Sequence, residues 1–158
     1  MHARRTLSAL AAGSALLGLS ACEAPAPIVT LYSGDTSLYD EAFVYCFDDQ
    51  DPEKEAGADG ACRFDAEREA QVLQVTPGDT VLVDVDKDLA DAAWFVSLTP
   101  EGGEAVRVSD VEVESHTARV LPDFSQGVRQ TLEVRKLASE EEGAPVTGLW
   151  RYTLVPQT

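Results

Sequence analysis

Between Ile28 and Val155, apolar side chains recur at every second position in short runs, and nowhere do they sustain the three-and-four spacing of an amphipathic helix. That alternation restricts the chain to strands with one face on a core and the other toward water. Turn signals such as Ser33-Gly34-Asp35, Thr76-Pro77-Gly78-Asp79 and Glu101-Gly102-Gly103 separate the runs. Strands repeating at intervals of about ten residues predict an all-β fold, an antiparallel β-sandwich that is immunoglobulin-like only loosely.

The expected strands are Ile28–Tyr32, Glu41–Phe47, Glu69–Val75, Thr80–Asp86, Trp94–Leu98, Ala105–Val108, Val111–Glu114, Ala118–Leu121, Gln130–Leu137 and Leu149–Val155. Phe43, Tyr45 and Phe47 share one face of the second run, and Val81, Val83 and Val85 share one face of the fourth. The third and fourth runs flank Pro77-Gly78, and a hairpin is the simplest connection between them. Asp88–Ala92 suits a brief helical turn. Trp94 is expected at the centre of the core, with Trp150, Tyr152 and Leu154 together on one face of the last strand.

The first residues have a different composition. Basic His2, Arg4 and Arg5 precede an apolar stretch from Leu7 to Leu19, and Leu19-Ser20-Ala21-Cys22 follows the pattern of a bacterial lipoprotein processing signal. The stretch is thirteen residues long and is diluted by Ser8, Gly13, Ser14 and Gly18, whereas a spanning helix needs about twenty apolar residues. Residues 1–21 are therefore expected to be a signal peptide, with Cys22 lipidated and the protein held on the extracytoplasmic face of the cell membrane. Ordinary secretory cleavage with a free Cys22 is the alternative, and Arg4-Arg5 also leaves twin-arginine export open beside general secretion. Residues 22–27 form an Ala/Pro tether, which spans about 20 Å when extended, and residues 28–158 form the β-sandwich domain.

Removal of residues 1–21 leaves 137 residues, enough for one core. Ten basic residues then face 28 acidic ones, a net charge of −18. No cluster of Lys and Arg offers a surface for phosphates, so nucleic acid is not an expected partner. A domain of this charge, held close to anionic headgroups, is expected to turn its least acidic face toward them. With Cys22 committed to lipid, Cys46 and Cys62 remain as an even pair in an oxidising compartment, and a disulfide is expected between them. Zinc lacks ligands, because His116 is the only histidine after Cys22. Six of the thirteen residues from Asp48 to Gly60 are acidic, which raises calcium, but Lys54 stands where a calcium loop needs glycine and Pro52 intrudes. No metal or cofactor is expected.

The lipobox, Ile28-Val29-Thr30-Leu31-Tyr32-Ser33, Phe43-Val44-Tyr45-Cys46 followed by Cys62, Leu73-Gln74-Val75 with Pro77-Gly78-Asp79, and Ala93-Trp94 together resemble the uncharacterised actinobacterial lipoproteins grouped as the domain of unknown function 2771 family. The resemblance implies an exported, lipid-anchored β-domain with a Cys46–Cys62 bridge. It brings no catalytic residues, and the acidic insert between the cysteines is longer than the resemblance suggests.

Catalysis has little to work with. His116 lies in Glu114-Ser115-His116-Thr117 without a Gly-x-Ser-x-Gly elbow, and nothing in the sequence supplies its nucleophile. A carboxylate pair acting on a glycan remains open, as does a calcium-binding surface protein, but 28 acids make any pair uninformative in sequence. The expected function is a non-enzymatic binding or assembly module with an envelope protein or glycan as partner. An apolar cleft among the loops is the feature that would distinguish it from a passive spacer.

Overall fold

A computed structural model describes residues 25–47, 62–65 and 67–157. The leader with Cys22, and the acidic stretch 48–60, lie outside the described residues. The chain folds as a β-sandwich, as the alternation predicts. The smaller sheet joins β1 (Ile28–Ser33), β2 (Thr36–Glu41), β6 (Val81–Val85) and β9 (Thr117–Val120) in the order β2-β1-β6-β9. The larger sheet joins β3 (Val44–Cys46), β4 (Cys62–Phe64), β7 (Trp94–Pro100), β8 (Val106–Arg107), β10 (Gln130–Leu137) and β11 (Val146–Pro156) in the order β4-β3-β11-β10-β7-β8. Strand β5 (Gln71–Val75) also pairs with β11. One helical turn, α1 (Lys87–Ala90), follows β6.

The period-two pattern supplies both inner faces. Trp94, Val96, Leu132, Val134, Trp150, Tyr152 and Leu154 of the larger sheet are fully buried against Val29, Leu31, Val81 and Val83 of the smaller one. The polar hydrogens of the three large aromatic side chains all reach main-chain carbonyls. Trp150 Nε1 donates to Pro27 O at 2.9 Å, Tyr152 Oη to Val29 O at 2.6 Å, and Trp94 Nε1 to Ser115 O at 3.0 Å. Each bond removes the cost of burying an unpaired donor. Asp86 secures one corner: its Oδ1 caps α1 by accepting from Leu89 N at 3.2 Å, while Oδ2 accepts from Ile28 N at 2.9 Å.

Cys46 and Cys62 face each other across the β3–β4 pair and are joined by a disulfide. The expected hairpin between Glu69–Val75 and Thr80–Asp86 does not form. Strand β5 instead runs parallel to β11, with Leu73 opposite Leu154, and Gln157 N donates to Val75 O at 2.9 Å. The turn at Thr76–Asp79 thus carries the chain from one sheet to the other. Leu73 and Val75 face the same core as Val81 and Val83, and alternation alone does not distinguish strands that lie side by side from strands that lie across a core. The expected strand at Val111–Glu114 shrinks to a bridge between Trp94 and Glu112, because Glu114 adopts a left-handed backbone with φ 54°.

Two strands lie outside the expected runs. Strand β2 is reached by a two-residue turn in which Gly34 has φ 54°, a conformation glycine adopts without a Cβ clash. Strand β4 is held by β3 and the disulfide. Ala26 and Pro27, expected in the tether, pack with the folded domain: Ala26 is 3% exposed within the core and Pro27 O accepts the Trp150 bond.

Gly148 sits where the largest core ring needs the space. A Cβ there would come within 2.9 Å of Trp150 Cζ3 and 3.1 Å of Lys136 Cβ. Gly148→Ala is expected to destabilise the fold by about 1–3 kcal/mol, the usual cost of overpacking. Urea unfolding followed by tryptophan fluorescence measures it, and Gly143→Ala, in an exposed turn, is the control for backbone strain alone, since its added Cβ meets nothing within 4 Å.

Candidate functional site

The sheets differ in width, and the difference creates a cleft. In the smaller sheet β9 is the last strand, whereas the larger sheet continues through β7 to β8. Val106 pairs with Leu98 and shares its inward-facing side, yet it is 58% exposed, with Val108 nearby at 38%. The chain returning from β9 to β10 partly covers this overhang. Pro122 and Phe124 of that connection are buried, and Leu121 is left 65% exposed at the margin. Between them lies a cleft of about 240 Å³, walled by Leu98, Pro100, Val106, Val108, Leu121 and Val128.

Its polar rim is fixed by local hydrogen bonds. Asp123 Oδ1 accepts from Ser125 N at 2.9 Å, the Gln130 side-chain amide donates to Asp123 O, and Gly127 N donates to Phe124 O at 2.8 Å. The bond from Ser125 holds the Asp123 carboxyl below its ordinary pKa, so the rim carries a negative charge at neutral pH. Position matters as much as chemistry. Gln130 pairs with Leu154 and Pro100, four residues along β10 from the Val134–Trp150 pair, and in the smaller sheet Val120, just before Leu121, pairs with Val81 while Val29, just after Pro27, pairs with Val85 at the other end of β6. The cleft therefore opens away from the end where the chain enters the domain.

Two other depressions are more polar than the cleft. One, of about 350 Å³, is bordered by Ile28, Tyr39, Gln71 and Arg68. Arg68 is surrounded there by Asp40 at 2.5 Å, Asp65 at 3.1 Å and Glu41 at 3.5 Å. The other, of about 550 Å³, lies between Phe95, Arg107 and the exposed Glu140–Glu142 turn. On the outer face of the larger sheet, Glu133 is 7% exposed and accepts from Arg135 through Nε at 3.0 Å and Nη2, and from Arg151 through Nε at 3.0 Å. Burial pushes the Glu133 pKa up, but the hydrogen bonds and charges of the two guanidiniums outweigh it and hold the carboxyl below its ordinary range.

This arrangement bears on each expected site. Cys22 and the 48–60 stretch lie outside the described residues, and Cys46–Cys62 forms a structural bridge at a sheet edge. His116 is exposed, and its ring Nδ1 lies 3.2 Å from Val85 O, remote from the cleft. Among the described residues, the two carboxyls with a resolved shift, Asp123 and Glu133, move down, whereas a general acid for glycan cleavage needs one that moves up. Among the described residues, no group of three His, Cys, Asp or Glu side chains is placed to hold a metal ion. Alternation in Ala105–Val108 marked a strand, but the width of the opposing sheet, which leaves Val106 uncovered, has no local signature. No protein-family model, curated protein or solved structure matches the chain.

The lowered pKa of Glu133 makes stability depend on pH in a defined direction. Its contribution is present above the unfolded-state carboxyl pKa of about 4.3 and is lost as pH falls through the lower folded-state value. Glu133→Gln is expected to flatten this part of the acid limb. Urea midpoints measured from about pH 6 to pH 2 will show it, and parallel limbs for both proteins would contradict the assignment.

Proposed function

We propose that the chain is an exported cell-envelope lipoprotein, anchored through Cys22 on the extracytoplasmic face of the membrane, that works as a non-enzymatic binding module. Its contact site is the cleft between β8 and β9, and its partner is an extended apolar segment of another envelope protein. The carrying observation is the position of that cleft: apolar, with a fixed rim, and at the end of the sandwich opposite Pro27. A domain tethered just before Ala26 leaves that end clear of the attachment point. The two strands beside the cleft, β8 and β9, each pair on one side only, so an extended segment can add main-chain hydrogen bonds to side-chain burial. A relationship to the domain of unknown function 2771 lipoproteins belongs to the same proposal, supported by the buried Trp94 and the Cys46–Cys62 bridge.

The hydrolase and calcium readings draw no support from the geometry described. The carboxylates beside Arg68 are held by its guanidinium, and Glu133 is held by two more.

A photoreactive residue replacing Leu121 in intact cells is expected to cross-link one envelope protein, whereas the same residue at Tyr39, also strongly exposed but on β2, is not. Adding Val106→Glu puts a charge in the apolar wall and is expected to reduce the Leu121 product by about tenfold. Equal cross-linking from positions 121 and 39, or indifference to Val106→Glu, would contradict the proposal.

A further inference from the structure

We propose that the outer face of the larger sheet docks on anionic lipid headgroups, with Arg135 and Arg151 meeting the phosphates. This rests on the membrane-anchored reading above but concerns a different surface from the cleft.

The charge distribution carries the argument. In a chain of net charge −16, the strands of this face present three guanidiniums, Arg107, Arg135 and Arg151, against one carboxylate, Glu133. Register places Arg107, Ser97, Glu133 and Arg151 in one row across four strands. The next row runs Phe95, Arg135, Leu149, Val44 and Phe64, so a cation stands among apolar side chains. The outer face of the smaller sheet has the opposite balance, with Glu41 and Asp84 against Arg119. Glu140–Glu142 border the docking face at the corner beyond Phe95. Contact therefore centres on the half formed by β11, β3, β4 and β5, where Phe64 is 47% and Val72 56% exposed.

Glu133 organises the cations rather than cancelling them. One carboxylate holds two guanidiniums side by side, and their side chains remain 32% and 42% exposed. Paired guanidiniums held on a sheet by one carboxylate match phosphate oxygens without further ordering of the side chains. The tether permits this orientation. Ala26 is buried in the core, and four residues back to Cys22 reach at most about 14 Å, against about 10 Å between sheet layers. The sandwich can lie on this face.

The test uses the full chain in vesicles, with Thr153→Cys on this face or Thr117→Cys on the opposite one carrying a spin label. In phosphatidylglycerol vesicles the probe at 153 is expected to be shielded from an aqueous relaxation agent while that at 117 remains open; in phosphatidylcholine both are open. Raising salt from about 0.01 M to 1 M, which shortens the screening length from about 30 Å to 3 Å, should release the probe at 153. Arg135→Gln with Arg151→Gln should lower the ratio of docked to undocked molecules by about tenfold or more. Because that pair strips Glu133 of its partners, the salt series on the chain with both arginines intact makes the same test without weakening the fold. A parallel set, with Cys22→Ala and a hexahistidine inserted at position 22 held by a nickel-chelating lipid, reads the face preference even if the natural anchor fails. Equal accessibility at 153 and 117 in phosphatidylglycerol at low salt would overturn the proposal.

Discussion

Three buried aromatic side chains of one sheet must each find a hydrogen-bond acceptor, and that need fixes how the two layers meet. Trp150, Tyr152 and Trp94 bring large apolar surfaces into the core, and each carries a donor that is costly to bury unpaired. The carbonyls of Pro27, Val29 and Ser115 satisfy them. Two of the three acceptors lie at the entry to β1, so the start of the domain is stitched to its last strand. A one-residue slip of β11 in its pairing with β10 would turn Trp150, Tyr152 and Leu154 to the outer face and orphan the donors of the two aromatic side chains.

Much of this was legible because it depends on local pattern. The runs at Val81–Val85, Gln130–Leu137 and Trp150–Leu154 declare their inward faces by alternation, and those faces are buried. Partnership between strands was less legible, since it depends on residues far apart. The pairing of β5 with β11 joins Leu73 to Leu154 in register, a relation that no turn residue encodes. Glycine at 34 signalled a tight turn but not that Thr36–Glu41 would return as a strand, because that run is weakly alternating and mostly exposed.

The surface follows the same division. An acidic total says nothing about where the few cations sit, and only register reveals that Arg107, Arg135 and Arg151 gather on one face around Glu133. The cleft likewise arises from unequal sheet widths rather than from a motif. Val106 and Val108 have ordinary strand composition and become a surface feature because, among the described residues, the smaller sheet ends at β9 and does not extend over them. The cysteines were the exception, since their number and the expected compartment pointed to one bridge and β3 and β4 place them opposite one another.

In the proposed reading, tether, cationic face and cleft act together: a sandwich held close to a membrane, with one face suited to its headgroups and one end free for a protein partner. Everything in it depends on attachment at Cys22. Intact-mass and N-terminal peptide analysis of the protein extracted from the cell membrane tests that point most directly. The account predicts a chain beginning at Cys22 that carries the added mass of a diacylglycerol. A chain that keeps residues 1–21, or one whose Cys22 is an unmodified thiol, would contradict it.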